Sequence, residues 1–336
     1  MALWLATGLT PASASMGLAE LPGNAVSGPV TILYPADAPE RPVRRGDFEL
    51  SVAPDAAPLP GAGRLVVISH GSPASPWLYT GLSRALVEAG YTVALPEHFA
   101  DNARDPSEPG PPAWRRRPLE VSRAIDRLAK DERFARSLDL TRVGMYGMSA
   151  GGHTALVLAG GRWSPSRLRA HCREHLADDF AACAGSSVAL TGGVLDGAKK
   201  WIASFVIDHK LDDAQWYGHV DPRIVAVVAG VPFAADFDPE SPKKPAVKLA
   251  LIRAGQDRWL VARFHSDAIL AVCQTCELLM DVPHGGHGAL LDPFPPGPSA
   301  PDLVRDPPDF RRVTEVPLIN AAIRDFFVKN LVAADR

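Results

Sequence analysis

The chain has 336 residues, of which 46% are hydrophobic and 22% are charged, and its formal net charge is −3. This is the composition of an ordinary globular protein with a large core, arranged around one sheet or in about two domains. The one basic run, Arg115-Arg116-Arg117, is too short to indicate binding to nucleic acid or to an anionic membrane, and we expect a solvated loop end.

Residues 1–27 precede the first predicted strand and form an apolar N-terminal segment. Its opening, MALWLATGLTPASAS, resembles the end of a secretory signal, but no basic residue occurs before Arg41, whereas a signal peptide begins with basic residues. We therefore expect an atypical signal remnant or a plain apolar segment, and we favour export over a cytoplasmic location. No apolar run reaches the roughly 18 residues of a membrane span, so no integral membrane segment is predicted.

Apolar runs alternate with helical patterns along the rest of the chain. Eight runs are predicted as strands: Val30–Tyr34, Phe48–Val52, Arg64–Ser69, Tyr91–Leu95, Arg142–Tyr146, Ile224–Ala229, Val247–Ile252 and Glu277–Val282. Five segments are predicted as helices: Pro76–Ala89, Leu119–Ala129, Ala150–Ala159, about Val261–Cys273, and Pro317–Leu331. This alternation predicts an α/β fold with a mostly parallel central sheet, flanked by helices and joined by right-handed crossovers.

The segment 161–221 separates the third predicted helix from the strand that starts at Ile224. A plain crossover needs far fewer residues. The segment contains Trp163, Trp201 and Trp216 together with a charged run. We expect a helical lid over the functional site, with an insertion away from the site as the alternative. The chain then divides into a core of 28–160 and 222–336 and a lid of 161–221.

The run Gly147-Met148-Ser149-Ala150-Gly151 follows a predicted strand and opens a predicted helix. A G-x-S-x-G motif in this context is typical of the nucleophile elbow of serine hydrolases. A strand that reverses so sharply strains the backbone of the serine, and a Cβ at either glycine would collide with a neighbouring element. We therefore expect Ser149 to be a nucleophile. The Ala150 amide, at the helix N-terminus, is expected to face the developing negative charge.

A serine nucleophile needs a base, and the base needs an acid that orients it. In this arrangement the acid follows the serine in the chain and the histidine follows the acid. Asp257 is the first carboxylate after the strand Val247–Ile252 and is the expected acid. Asp236 and Asp238, which follow the preceding strand, are the alternatives.

The base is expected in the loop that follows the last predicted strand. This loop contains His284 and His287, and His287 stands between glycines that let the chain bend its ring over the sheet edge. His287 is the expected base and His284 is the alternative. His153, on the predicted elbow helix, is expected to be a structural histidine packed under the site.

The second amide of an oxyanion hole is expected from the loop after Arg64–Ser69, at Ser72. Because the donor is a backbone group, we expect Ser72→Ala to have a mild effect. Trp77, Tyr79 and Trp259 flank these loops and are candidates for an acyl or aromatic pocket, with plain core packing as the alternative for each of them.

The four cysteines, Cys172, Cys183, Cys273 and Cys276, form two close pairs in the sequence. Such pairs suit two local disulfides in an oxidising compartment, and four buried thiols are the alternative. A zinc site at Cys273 and Cys276 is disfavoured, because no second ligand pair has suitable spacing.

Four motifs together resemble the α/β-hydrolase superfamily: SHGSP (69–73), GMSAGGHTAL (147–156), GQD (255–257) and GGHGALL (285–291). The chain is similar to the bacterial branch related to dienelactone hydrolases and platelet-activating-factor acetylhydrolases, over roughly Gly28–Leu331. The resemblance implies an α/β-hydrolase fold and a serine esterase without a cofactor or a metal. Dienelactone hydrolases proper use a cysteine at the elbow, so Ser149 favours general carboxylesters. Acetylhydrolases can draw their acid from the earlier strand, which keeps Asp236 and Asp238 open.

These observations together predict a serine carboxylesterase that acts through an acyl-enzyme intermediate. Its substrate is expected to be an ester of a small molecule, a lipid or a polymer, with no nucleic-acid partner. The alternatives are a lipase or acetylhydrolase, an amidase or peptidase with the same triad, and a non-catalytic binding protein. The sequence sets neither the acyl length nor the oligomeric state.

Overall fold

The computed structural model describes residues 14–61, 63–185, 188–295 and 302–331. Ten strands in these ranges form one sheet. They are β1 (Ser15–Leu21), β2 (Val30–Ala36), β3 (Arg41–Arg45), β4 (Phe48–Pro54), β5 (Arg64–Ser69), β6 (Tyr91–Pro96), β7 (Val143–Met148), β8 (Ile224–Gly230), β9 (Lys248–Ala254) and β10 (Glu277–Val282). The order across the sheet is β10-β9-β8-β7-β5-β6-β2-β1-β4-β3.

The strands β5 to β10 form the parallel part of the sheet. The central strands β5 and β7 are buried along almost their whole length, which explains their continuous apolar sequences. The first four strands extend the sheet beyond β6, with which β2 pairs in the antiparallel direction. The carboxyl ends of the six parallel strands meet at one edge, where open α/β sheets bind their ligands.

Eight α-helices occur in the described ranges. They are α1 (Thr80–Glu88), α2 (Pro111–Leu128), α3 (Ala150–Leu158), α4 (Pro165–His175), α5 (Phe180–Ala184), α6 (Asp196–Lys210), α7 (Ser266–Val272) and α8 (Arg312–Leu331). Helices α1 and α8 pack into one core cluster, and α2 and α3 pack into the other, so the sheet is covered on both faces. The mostly parallel sheet flanked by helices, as predicted from the alternating pattern, is confirmed.

The strand β1 differs from the expectation of a separate N-terminal segment over 1–27. It pairs with β2 along its whole length and lies between β2 and β4. Its side chains Met16 and Leu18 are buried in the core. Residues 15–21 therefore belong to the fold, whereas residues 1–13, which carry the expected signal remnant, lie outside the described residues.

Helix α2 begins at Pro111, well before the predicted start at Leu119. Proline suits the first turn of a helix, because the first amides of a helix have no intrahelical acceptor. The run Arg115-Arg116-Arg117 is therefore helical, and the expectation of a solvated loop end is wrong. The Arg117 side chain is fully buried.

The cysteines form two local disulfides, Cys172–Cys183 and Cys273–Cys276. The first joins α4 to α5 within the insertion 161–221, and the second lies between α7 and β10. Of the two interpretations of the cysteine pattern, four buried thiols is the wrong one. Among the described residues, no helix combines the length and the apolar character that crossing a bilayer requires.

Candidate active site

Ser149 occupies the turn between β7 and α3. Its φ of 59° and ψ of −119° form a backbone conformation that L-residues rarely adopt. The flanking glycines allow this turn. A Cβ on Gly147 would collide with the carbonyl oxygen of Gly151, and a Cβ on Gly151 would collide with that of Ser69. The predicted reason for the two glycines is confirmed, and the turn presents the Ser149 hydroxyl at the carboxyl edge of the sheet.

Ser149, His287 and Asp257 lie in one hydrogen-bonded chain. Nε2 of His287 is 3.0 Å from Oγ of Ser149, and Nδ1 of His287 is 2.8 Å from Oδ2 of Asp257. A neutral imidazole that carries its hydrogen on Nδ1 donates to the carboxylate and leaves Nε2 to accept from the hydroxyl. His287 and Asp257 are buried, whereas Ser149 is half-buried and borders a pocket. The arrangement can withdraw a proton from the serine.

The loop after β9 fixes the Asp257 carboxylate. Its Oδ1 accepts hydrogen bonds from the backbone N–H groups of Trp259 and Leu260, at 2.8 and 2.9 Å. Its Oδ2 remains for His287. The loop after β10 places His287 opposite, at the start of a short 3₁₀ turn, His287–Leu290. Two loops that follow the neighbouring strands β9 and β10 thus bring Asp257 and His287 to the same edge.

The alternative residues have other positions. His284 is exposed and lies two residues after the end of β10. Asp236 is fully buried and lies 3.0 Å from Nε2 of His153, so it serves a different histidine. Asp238 pairs with Arg162 at 2.6 Å near the surface. None of these three candidates is joined to Ser149 by a hydrogen bond in the described part of the chain.

The two expected oxyanion donors, Ser72 and Ala150, line the same pocket as Ser149. Ala150 begins α3, where the first amides have no intrahelical acceptor and the helix dipole favours negative charge. Within the described residues, neither backbone N–H donates to a protein acceptor. Both amides are therefore available to an oxygen atom of a ligand.

The pocket at Ser149 has a volume of about 300 Å³. Its walls are mostly apolar and include the rings of Trp114, Phe233 and Trp259. Trp259 lies beside His287, with 5.0 Å between the two ring centroids. Sequence reasoning missed Trp114 and Phe233, because they lie in α2 and after β8, outside the motifs. The signal that was available was the position of Phe233 directly after a strand of the parallel sheet.

Trp77 and Tyr79 do not line this pocket. The two residues belong to the short 3₁₀ turn Pro76–Tyr79, and their side chains have different surroundings. Trp77 borders a separate groove, with the Arg45 guanidinium 5.9 Å from its ring centroid. Tyr79 is buried, and its hydroxyl accepts a hydrogen bond from the Gly71 N–H at 3.1 Å. Burial raises the pKa of Tyr79 to about 12, so the hydroxyl stays protonated.

Helix α5 of the insertion forms one wall of the pocket, through Ala181 and Ala182. The neighbouring Asp179 carboxylate fixes this wall to the core. It accepts from Nε2 of His171 at 2.8 Å and lies 3.2 Å from Nε2 of His265, just before α7. Burial opposes ionisation, but the hydrogen bond from His171 and the nearby His265 ring outweigh it and lower the pKa of Asp179 to about 2.

No group of three or more His, Cys, Asp or Glu residues in the described ranges has the arrangement of a metal site. No family model and no curated protein matches the chain. Many solved structures do match it. One is a ferulic acid esterase from Streptomyces cinnamoneus, with a TM-score of 0.60 and 16% identity, over 97% of this chain and 92% of that one. At this level of identity the similarity shows the fold alone, and it extends over nearly the whole chain.

Proposed function

We propose that the chain is a serine hydrolase that cleaves carboxylic esters through an acyl-enzyme intermediate. The observation that carries the proposal is the hydrogen-bonded chain from Ser149 through His287 to Asp257, at the edge of a pocket. The strained backbone of Ser149 adds to it, because strain at a buried turn is typical of functional positions. The esterase named as a structural neighbour supports the reaction class by analogy of fold.

In the first half of the reaction, Nε2 of His287 takes the Ser149 proton while Oγ attacks the ester carbonyl carbon. The carbonyl oxygen becomes negatively charged and accepts hydrogen bonds from the Ser72 and Ala150 amides. Asp257 keeps the imidazole in the required tautomer and stabilises the imidazolium. The tetrahedral intermediate then breaks its bond to the alcohol oxygen, which receives the proton from His287. The alcohol leaves, and the acyl group stays on Ser149.

In the second half, a water molecule replaces the alcohol. His287 takes a proton from the water, and the hydroxide oxygen attacks the acyl carbonyl carbon. The same two amides stabilise the second oxyanion. The bond to Oγ breaks, and His287 returns the proton to Ser149. The carboxylic acid leaves, and the enzyme is regenerated.

The small volume of the pocket favours an acyl group of limited size. A volume of about 300 Å³ is at the lower end of ligand pockets, which span roughly 300–1,000 Å³. The rings of Trp114, Phe233 and Trp259 suit an aromatic or short aliphatic acyl group better than a long chain. The ferulic acid esterase named above makes hydroxycinnamate esters a reasonable choice of test substrate. The alternatives of a lipase or an amidase become outcomes of the same test.

We also infer that the insertion 161–221 acts as a cap on this pocket. Ala181 and Ala182 stand on its wall, which supports the role. The disulfide Cys172–Cys183 and the buried Asp179 support a wall that is fixed, in contrast to a lid that swings away. A fixed wall favours discrimination by acyl size.

The test is hydrolysis of p-nitrophenyl esters from acetate to palmitate and of methyl ferulate. Wild type, Ser149→Ala and Ser137→Ala are assayed together, where Ser137 donates to the Phe134 carbonyl and is not among the residues that line the pocket. We expect activity that peaks at short or aromatic acyl groups. Ser149→Ala is expected to lower kcat by about 10⁶-fold, because the triad acts as a unit, and Ser137→Ala is expected to match wild type.

Three results would change the proposal. A peak at long acyl chains would favour the lipase. No activity on any ester, followed by activity on amides, would favour the amidase or peptidase. Retention of more than about a tenth of the activity in Ser149→Ala would remove this serine from the mechanism.

A further inference from the structure

Beneath the loop that carries Ser72 lies a fully buried arginine. Arg117 extends from α2 toward His70-Gly71-Ser72, and its side chain and that of Asp101 are completely shielded from solvent. A buried arginine is costly unless its donors are satisfied and its charge is paired. The bonds that it makes are therefore informative about its role.

The guanidinium binds the carbonyl oxygens on either side of Gly71. Nη1 of Arg117 donates to the His70 carbonyl at 2.5 Å, and Nη2 donates to the Gly71 carbonyl at 3.0 Å. In a trans peptide the N–H points away from the C=O. Because the Gly71 carbonyl is held toward Arg117, the Ser72 N–H of the same peptide is directed to the opposite side. Ser72 lines the Ser149 pocket whereas Arg117 does not, which supports an N–H directed toward that pocket.

Asp101 closes this arrangement into a ring. Its Oδ2 accepts from Nε of Arg117 at 2.9 Å, and its Oδ1 accepts from Oγ of Ser72 at 2.5 Å. Ser72 is thus fixed at two points, through the Gly71 carbonyl that precedes it and through its own hydroxyl. The aspartate also neutralises the arginine, which lets the pair remain buried.

A second layer holds the Gly71 carbonyl from another direction. Nδ1 of His70 lies 2.7 Å from this oxygen, and Nε2 of His70 accepts from the His98 N–H at 3.1 Å. The acceptor role of Nε2 puts the hydrogen on Nδ1, so His70 donates to the Gly71 carbonyl. Burial, with His98 and Arg117 nearby, holds the pKa of His70 well below its usual range and keeps this tautomer neutral.

We propose that Arg117 is a positioning residue, which sets the orientation of the Ser72 amide in the oxyanion hole by holding the His70 and Gly71 carbonyls. The inference rests on the proposed esterase function. Arg117 lies behind the loop and acts through it, so its loss removes an oriented donor from the transition state. Loss of one such donor typically lowers kcat by about 10²–10³-fold.

The test compares Arg117→Lys with Arg123→Lys. Both arginines are on α2, and Arg123 donates to the Val26 carbonyl away from the pocket, so it is a matched control. Active sites are first counted with a fluorophosphonate, so that kcat is expressed per reactive serine. We expect Arg117→Lys to lower kcat about 100-fold with KM within about threefold of wild type, and Arg123→Lys to match wild type.

An inhibitor that mimics the tetrahedral intermediate distinguishes a loss of oxyanion stabilisation from a loss of folded enzyme. A trifluoromethyl ketone, whose adduct places negative charge in the oxyanion hole, is expected to bind Arg117→Lys about 100-fold more weakly. The product carboxylic acid is expected to bind with little change. A purely structural role would lower the number of titratable sites and leave both affinities per site as in wild type, which would overturn the proposal.

If Arg117→Lys yields no folded enzyme, Arg117→Met combined with Asp101→Asn removes both charges and the same carbonyl bonds. A kcat per titrated site within about threefold of wild type in either variant would overturn the role of Arg117. Failure of the esterase proposal looks different. In that case wild type itself is not labelled by the fluorophosphonate and hydrolyses no ester.

Discussion

Two histidine–aspartate pairs are buried around Ser149. In the first pair, His287 is hydrogen-bonded to the Ser149 hydroxyl and Asp257 is hydrogen-bonded to His287. His153 lies one helical turn after Ser149 on α3, but its ring turns toward Asp236. The ring of His153 is also enclosed by aromatic side chains, with Phe237 at 4.9 Å and Trp163 at 5.1 Å between centroids. Proximity in sequence therefore does not decide which histidine bonds to Ser149, whereas the direction of the side chains does.

Replacing Asp257 with asparagine is expected to lower kcat about 10⁴-fold, because an amide favours the wrong imidazole tautomer and cannot stabilise the imidazolium. Asp236→Asn makes the same change in the other pair. It is expected to keep kcat within about tenfold of wild type and to lower the free energy of unfolding, because it disturbs a buried hydrogen bond. Kinetics on p-nitrophenyl acetate and urea unfolding measure the two effects. The reverse pattern of kcat losses would assign the acid to Asp236.

At the scale of elements, three buried side chains of helix α2 are spaced three residues apart along the helix. Trp114 lines the pocket, Arg117 binds the His70 and Gly71 carbonyls, and Glu120 accepts from Nδ1 of His98 at 2.6 Å. Residues three apart lie on the same side of a helix, so one face of α2 reaches the pocket and the loop beneath it. Another part of the pocket wall comes from α5, which is short and is held by Cys172–Cys183.

Removing this disulfide tests whether α5 is a fixed wall. The bond closes a loop with a separation of 11 residues, and its loss through Cys172→Ser and Cys183→Ser is expected to cost about 3 kcal/mol in the local segment. The pocket should then loosen, so KM for short-acyl esters should rise several-fold while Ser149 remains reactive. Kinetics per titrated site and protease sensitivity of the insertion measure these changes.

The second disulfide supplies the control. Cys273–Cys276 spans a separation of only 3 residues and lies before β10, at the sheet edge opposite the site. Its removal through Cys273→Ser and Cys276→Ser is expected to leave KM unchanged. Equal effects of the two double variants on KM would show that α5 does not shape the pocket.

At the scale of the whole molecule, we expect the free energy of unfolding to depend on pH through the histidines that are buried beneath the site. Burial, with Arg117 and Arg116 nearby, holds the pKa of His98 well below its usual range. His98 also meets Glu120 and Ser69, which satisfy both nitrogens of a neutral ring. The folded state therefore stays unprotonated at His98 where the unfolded chain, with a pKa of about 6.5, takes up a proton. Stability is then lost as the pH falls below about 6.5.

The expected loss between pH 7.5 and 5.5 is up to about 1.4 kcal/mol for each such histidine. Urea unfolding of wild type and His98→Gln across this range measures it. The variant is less stable at pH 7.5, but its stability should fall less steeply, because one proton-binding difference between the two states is removed. The comparison cancels the contributions of all other groups. Parallel pH profiles for the two proteins would contradict the assignment of a neutral buried His98.

Much of the fold could be predicted from the sequence, because buried parallel strands are continuous apolar runs. The bounds of β5 and β10 match the predicted strands Arg64–Ser69 and Glu277–Val282. β3 was missed because Arg41–Arg45 is a polar edge strand, whose pattern depends on its neighbour β4. β1 was missed because its residues continue an apolar N-terminal stretch. Strand pairing, which decides both cases, is not local information.

The placement of the candidate site residues could be predicted where a motif fixes the geometry. Ser149, Asp257 and His287 each follow a strand in the expected chain order, and the structure brings them together. Arg117 could not be found in the same way, because a run of three arginines is usually solvated and its partner Asp101 is brought near only by the fold. The residues that line a pocket depend on tertiary packing, and Trp77, a candidate for this pocket, borders a separate groove.

The most direct measurement is the identity of the residue that carries the acyl group during turnover. The reaction with p-nitrophenyl acetate is quenched rapidly with acid, and the trypsin fragment 143–162 is analysed by mass spectrometry. We expect a burst of p-nitrophenol that matches the enzyme concentration, and an acetyl group on Ser149. Turnover without a burst or a label on Ser149, or a label on another residue that persists in Ser149→Ala, would contradict the proposed serine esterase.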